Sequence, residues 1–139
     1  MTDHRHSFFQ QRQMLLMAGA SAYVILLILS HSTLPALHVW LIAAVFSIVM
    51  NFPYAWEAFW QRRFISLEVG VSLTLIVASL LGVFVSPLFV IGAIFGHGLW
   101  DLAKHRGAGV PFVAWYNLSC FVVDLTYGVS LLVYWMQRA

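Results

Sequence analysis

The sequence predicts an all-α, polytopic membrane protein of five transmembrane helices with its N-terminus in the cytoplasm, and three observations predict it. Of 139 residues, 62% are hydrophobic and 9% charged, against about 25% charged in an average soluble domain. The apolar residues gather into five runs, each close to the roughly 20 residues an α-helix needs to cross the hydrocarbon core. The basic residues fall between those runs, and mostly in alternate connections. Such a composition has too few polar side chains to cover a water-borne particle of this size. It also excludes disorder, which needs low hydrophobicity and high charge. Cys120 is the one cysteine, so no internal disulfide forms. The net charge of +2 sits in small clusters rather than in one basic stripe, which excludes a nucleic-acid partner.

The first run, 13–33, follows Arg5 and Arg12. A basic segment before residues 14–29, with small residues at Ser30 and Ser32, also fits a cleaved signal peptide. The length of the run favours a span, and Ala18, Gly19, Ala20, Ser21, Ala22 and Tyr23 predict a helix-packing face on it. The second run, 35–56, contains Asn51 just before Phe52-Pro53, and the third, 64–85, follows Gln61-Arg62-Arg63. The fourth and fifth, 87–103 and 111–136, flank Lys104-His105-Arg106-Gly107. Pro35, Pro87 and Pro111 open three runs, where a missing N–H is harmless because the first helical turn leaves it unpaired. Arg5, Arg12, Arg62, Arg63, Lys104 and Arg106 then share one side of the membrane and Arg138 the other. The positive-inside rule makes the first side cytoplasmic. No repeat or separate domain interrupts residues 1–139, so the expectation is a single bundle in the cytoplasmic (inner) membrane.

Ionisable side chains inside a span are costly and mark functional sites by default. His97, Asp101 and His105 recur at i, i+4 and i+8, forming one stripe with Trp100 beside it. Asn117, Cys120, Asp124 and Tyr127 recur at spacings of three and four on the next helix. A short connection makes these helices antiparallel neighbours, and the economical arrangement turns the two stripes together. Gly92, Gly96 and Gly98 would admit a close neighbouring backbone. Asp124 lies about 20 Å along its helix from Pro111, near the midplane, and must be paired, hydrated or protonated there. Asn51, Glu57 and Glu68 complete the polar set in the same half of the bilayer. Each has a structural alternative: Asn51 can bond backbone groups freed by Pro53, and Glu57 and Glu68 can pair with Arg62 and Arg63. His31 and His38 fall at the far interface with no partner in view.

At His97-Gly-Leu-Trp100-Asp101-Leu-Ala-Lys-His105, followed by Pro111, Cys120 and Asp124, the chain resembles a group of small multi-pass bacterial integral membrane proteins of unassigned function. Their pattern is H-x-x-W-D with a following histidine pair, then a proline and C-x-x-x-D in the last helix. The resemblance is confined to the last two helices and departs at Lys104, where the pattern places the first histidine of the pair. It marks positions and implies no chemistry.

The residues themselves predict His97, Asp101 and Asp124 as the catalytic set of a membrane-embedded enzyme. Asn51, Glu57, Glu68, Trp100, Asn117 and Tyr127 would line its substrate site. Carboxyl groups held neutral by low dielectric suit proton transfer to or from a lipid or isoprenoid, as in an isomerisation, hydration or cyclisation. Trp56, Trp60, Trp100, Trp115 and Tyr116 can line an apolar pocket or form an interfacial belt. A metal variant would bind Zn²⁺ through His97, Asp101 and Asp124. His97 and His105, about 12 Å apart along one helix, cannot share that ion. No H-E-x-x-H, C-x-x-C, phosphate loop or G-x-S-x-G is present, and the cofactor is left unknown. Two other classes use the same residues: a proton, ion or solute transporter, which at this size would be a homo-oligomer, and an accessory subunit of a membrane complex, with a haem on His97 as one form.

Overall fold

The computed structural model describes residues 11–138, and every regular element among them is helical. In chain order these are α1 (Gln13–His31), α2 (Ala36–Val49), α3 (Phe52–Gln61), α4 (Ile65–Phe84), α5 (Pro87–His105) and α6 (Ala114–Arg138). Arg5, counted above among the cytoplasmic charges, lies outside the described residues. Four segments are long and apolar enough to cross a membrane: α1, α2 with α3 as one unit (Ala36–Gln61), α4 and α6. The expected fourth span, α5, has 19 residues but stands outside this set, because His97, Asp101 and Lys104 interrupt its apolar run.

The surface is that of a membrane protein. Leu26, Phe84 and Leu99 are 67%, 80% and 64% exposed, while Ser47, Asn51, Glu68, Ser72, Ser79, His97, Asp101, Asn117 and Asp124 are all buried. Lipid tails satisfy the outer Leu and Phe side chains, so polar pairing does much of the work of holding the helices together. The Ser79 and Ser47 hydroxyls lie 2.7 Å apart across α4 and α2, and Ser72 Oγ donates to the Asn51 carbonyl at 3.2 Å. At the other end Val39, Ala43, Val90, Ile91, Ile94, Tyr127 and Leu131 form an apolar core.

The expected second span breaks in two at Met50 and Asn51. Pro53 has no N–H to continue the helical ladder, and the Asn51 amide N–H instead reaches Ile48 O. The Asn51 side chain takes over the Ser47 carbonyl at 2.7 Å, a backbone contact of the expected kind, though to the group left by its own shifted N–H rather than to one freed by Pro53. Pro87 does sit in the first turn, capped by Ser86 Oγ accepting from Leu88 N at 3.4 Å. Pro111 does not: α6 begins at Ala114, and residues 106–113 form a loop with Gly107 and Gly109 at φ 100° and 65°.

Helix α5 is the centre of the assembly, packed between α4 and α6 and touching α2. Helix α1 has α6 as its principal neighbour and buries Val24, Leu27 and His31. The run of small residues expected to be its packing face points outward: Ser21, Ala22 and Tyr23 are exposed. Of the three glycines expected at close approaches, Gly92 faces open space, Gly96 meets Leu75, and Gly98 meets Asp124. The tightest approach to another backbone is at Gly82 of α4, where an added Cβ would lie 2.6 Å from the Val90 backbone nitrogen. Gly82→Ala is therefore expected to destabilise the bundle by about 1–3 kcal/mol, read as a lower Tm in detergent, with Gly92→Ala unchanged.

Candidate functional site

Helix α5 presents His97 and Asp101 one turn apart on its inner face, and Asp124 of α6 lies opposite. All three are buried, at 2%, 0% and 0% exposure. His97 Nδ1 lies 2.9 Å from Asp124 Oδ2 and 3.3 Å from Asp101 Oδ2. One donor atom from each residue fits within 4.8 Å of the others. The two expected stripes meet at His97 and Asp101 on one helix and Asn117 and Asp124 on the other, while His105 and Tyr127 stay outside. His97 Nε2 reaches the Met50 carbonyl at 3.0 Å, so the break between α2 and α3 supplies a backbone acceptor to the site. A carbonyl only accepts, which places the proton on Nε2 and leaves Nδ1 facing the carboxylates.

Tyr54 of α3 was missed by sequence reasoning. Its hydroxyl donates a short hydrogen bond to Asp101 Oδ1 and lies 2.8 Å from the Asn117 side-chain oxygen. A phenol carries one proton, so Asp101 takes it, and Asn117 is satisfied by turning its NH₂ toward the phenol oxygen. The Tyr54 ring stacks on the His97 imidazole, with centroids 5.8 Å apart and planes at 11°. Asp101 Oδ2 and Asp124 Oδ1 are buried and accept no hydrogen bond.

A second polar cluster adjoins the first. Glu68 of α4 is 1% exposed and forms an ion pair with Lys104 of α5. It also accepts from Trp100 Nε1 at 3.1 Å and Val110 N at 2.9 Å. Lys104 Nζ donates to the Val110 carbonyl at 2.9 Å and lies 4.5 Å from the Tyr54 ring centroid. Two expectations are thereby corrected. Glu68 pairs with Lys104 rather than with Arg62 or Arg63, which are exposed. Lys104, assigned to a cytoplasmic loop by its charge, is drawn inside because the buried Glu68 carboxylate needs a cation.

The remaining expected site residues separate into near and far. Asn117 joins the first cluster, Trp100 the second, and Asn51 backs the helix break. Glu57 is half-buried and accepts from Gln61 Nε2 at 2.7 Å, away from both clusters. Tyr127 is not at the site: its hydroxyl pairs with His31 Nε2 at 2.8 Å toward the opposite end, giving His31 the partner the sequence did not reveal. His105 is exposed and Cys120 half-buried. A cleft of about 260 Å³ opens between α5 and α6, lined by Phe95, Gly98, Leu99, Phe121 and Leu125. Gly98 is its thin wall, since a Cβ there would stand 3.1 Å from the Asp124 Cβ. Comparison of the chain with protein-family models, with curated proteins and with solved structures finds no match.

Proposed function

We propose that this is a five-span protein of the cytoplasmic membrane, N-terminus inside, whose His97, Asp101 and Asp124 form an acid/base centre for an apolar substrate, a lipid or an isoprenoid. The observation that carries the reading is the imidazole held between two buried carboxylates, each with an oxygen free of hydrogen bonds. A group so placed can pass a proton among three acceptors without moving, which is what isomerisation, hydration or cyclisation of a carbon skeleton requires. Tyr54 and Asn117 position Asp101, and the Met50 carbonyl orients His97. The substrate approaches sideways from the bilayer along the cleft at Gly98, whose lining is apolar throughout.

The orientation rests on exposed charge. Arg62 and Arg63 lie in the α3–α4 turn and Arg106 after α5, and the contact of Gln61 Nε2 with the Pro111 carbonyl at 3.4 Å joins those two turns at one end. Those three arginines keep the bias once Lys104 is withdrawn. Helix α5 crosses as the fourth of the five spans, its polar face covered by α3, α4 and α6. The likeness of the last two helices to small multi-pass membrane proteins of unassigned function fits this reading, because His97, Asp101 and Asp124 are among the positions that carry it.

The test compares lipid extracts of membranes containing wild type, Asp124→Asn or Leu125→Trp by mass spectrometry. The expected result is a lipid or isoprenoid product that falls about 10²–10⁴-fold with Asp124→Asn, and that also falls with Leu125→Trp, which fills the cleft without touching the cluster. Identical extracts from folded wild type and variants would sink the proposal.

A further inference from the structure

We infer that His97, Asp101 and Asp124 form a binding site for one divalent first-row transition ion of the Zn²⁺ class, bound through His97 Nδ1, Asp101 Oδ2 and an Asp124 carboxylate oxygen. The inference rests on the reading of these residues as a reactive centre, and in it the three side chains hold the ion rather than pass a proton among themselves.

The argument starts from the imidazole. Nε2 carries the proton because it faces the Met50 carbonyl at 3.0 Å, so the lone pair of a neutral His97 is on Nδ1, directed at two carboxylates. Metal-bound histidines have this arrangement, their other ring N–H held by a backbone carbonyl or carboxylate. A proton on Nδ1 is the competing occupant, and it serves the site poorly. One N–H points at one oxygen; Asp101 Oδ2 and Asp124 Oδ1 stay buried without a donor. With both carboxyls ionised, the imidazolium would also leave a net charge of −1 among apolar helices, where charge is expensive.

A divalent ion answers the charge and one of the two orphaned oxygens. It brings the neutral histidine and two carboxylates to zero net charge and gives the unpartnered Asp101 Oδ2 a ligand. Bonds of about 2.0–2.1 Å in a tetrahedral shell put neighbouring ligand atoms about 3.3 Å apart. His97 Nδ1 lies 3.3 Å from Asp101 Oδ2 and 2.9 Å from Asp124 Oδ2, so both histidine–carboxylate pairs are close to that spacing, and all three donor atoms fall within 4.8 Å of one another. The supporting shell is present as well: Tyr54 donates to the other Asp101 oxygen, and the ring of Tyr54 fixes the imidazole plane. One nitrogen and two carboxylates suit Zn²⁺, Fe²⁺ or Mn²⁺ rather than Ca²⁺ or Mg²⁺, which favour all-oxygen shells of six or more. Three protein ligands leave a position for water, as in catalytic zinc sites.

The experiment uses the untagged full chain in mild detergent, stripped of metal and dialysed against Zn²⁺, with bound ion measured by elemental analysis. Expected are one Zn²⁺ per chain and a raised Tm in wild type, affinity about 100-fold weaker in Asp101→Asn and Asp124→Asn, and about 10-fold weaker in Tyr54→Phe. His105→Ala, which alters an exposed histidine, binds as wild type. Co²⁺ loaded into wild type gives the visible bands of a four-coordinate N/O site, a readout independent of whether the Asn variants fold. Wild type that takes up no stoichiometric Zn²⁺, Asn variants that bind equally well, or a Co²⁺ spectrum of the octahedral type would overturn the inference. Bound metal with unchanged lipid extracts sinks the conversion and leaves the metal site; lost conversion in Asp124→Asn without metal does the reverse.

Discussion

Lys104→Met is expected to destabilise the bundle by about 3–5 kcal/mol, among the largest effects of any single substitution in the chain. The variant leaves Glu68 buried at 1% exposure with its ion-pair partner gone, and the carboxylate must then be protonated or drag water inward. Glu68→Gln strands the ammonium in the same way. The double variant Glu68→Gln with Lys104→Met removes both charges and is expected to recover most of the loss, since a buried pair is worth little over a well-packed neutral replacement. Thermal unfolding of the four proteins in one detergent forms the cycle. Equal, additive losses would show that the two side chains act independently and that the pair does not join α4 to α5.

His97→Ala is the second. It places the Asp101 and Asp124 carboxylates face to face with nothing between them, so conversion is expected to fall at least 10²-fold and the Tm to drop with it. Adding Asp101→Asn and Asp124→Asn to His97→Ala removes the repulsion and is expected to restore the Tm without restoring product. Stability and activity are thereby read separately on one residue. A His97→Ala protein that retains full conversion would remove the imidazole from the chemistry.

The heart of the site was legible because periodicity within one helix is short-range information. His97 and Asp101 must share a face at i, i+4, and a short loop must bring α6 back alongside. What lay beyond reach was long-range. Tyr54 sits in Phe52-Pro53-Tyr54-Ala55-Trp56, an aromatic run indistinguishable by composition from an interfacial belt. Its inward turn depends on how the break at Asn51 re-aims α3. Lys104 carried a usable signal, being three residues after Asp101 on the same face, but its charge argued for the loop. The partner that reverses the argument, Glu68, is 36 residues away. Tyr127 shows the opposite failure: it keeps the face of Asp124, yet one turn further along the helix its hydroxyl belongs to His31.

That last contact bears on how the chain is assembled. Helix α1 is made before α6, yet α6 is its principal neighbour, and its buried His31 is bonded to Tyr127 of that helix. Until α6 is made, α1 lacks its main partner and is held by its short link to α2 and by the stacking of Tyr23 on Phe46. That contact is completed only when α6 is in place, so until then the buried His31 imidazole lacks the hydroxyl that satisfies it.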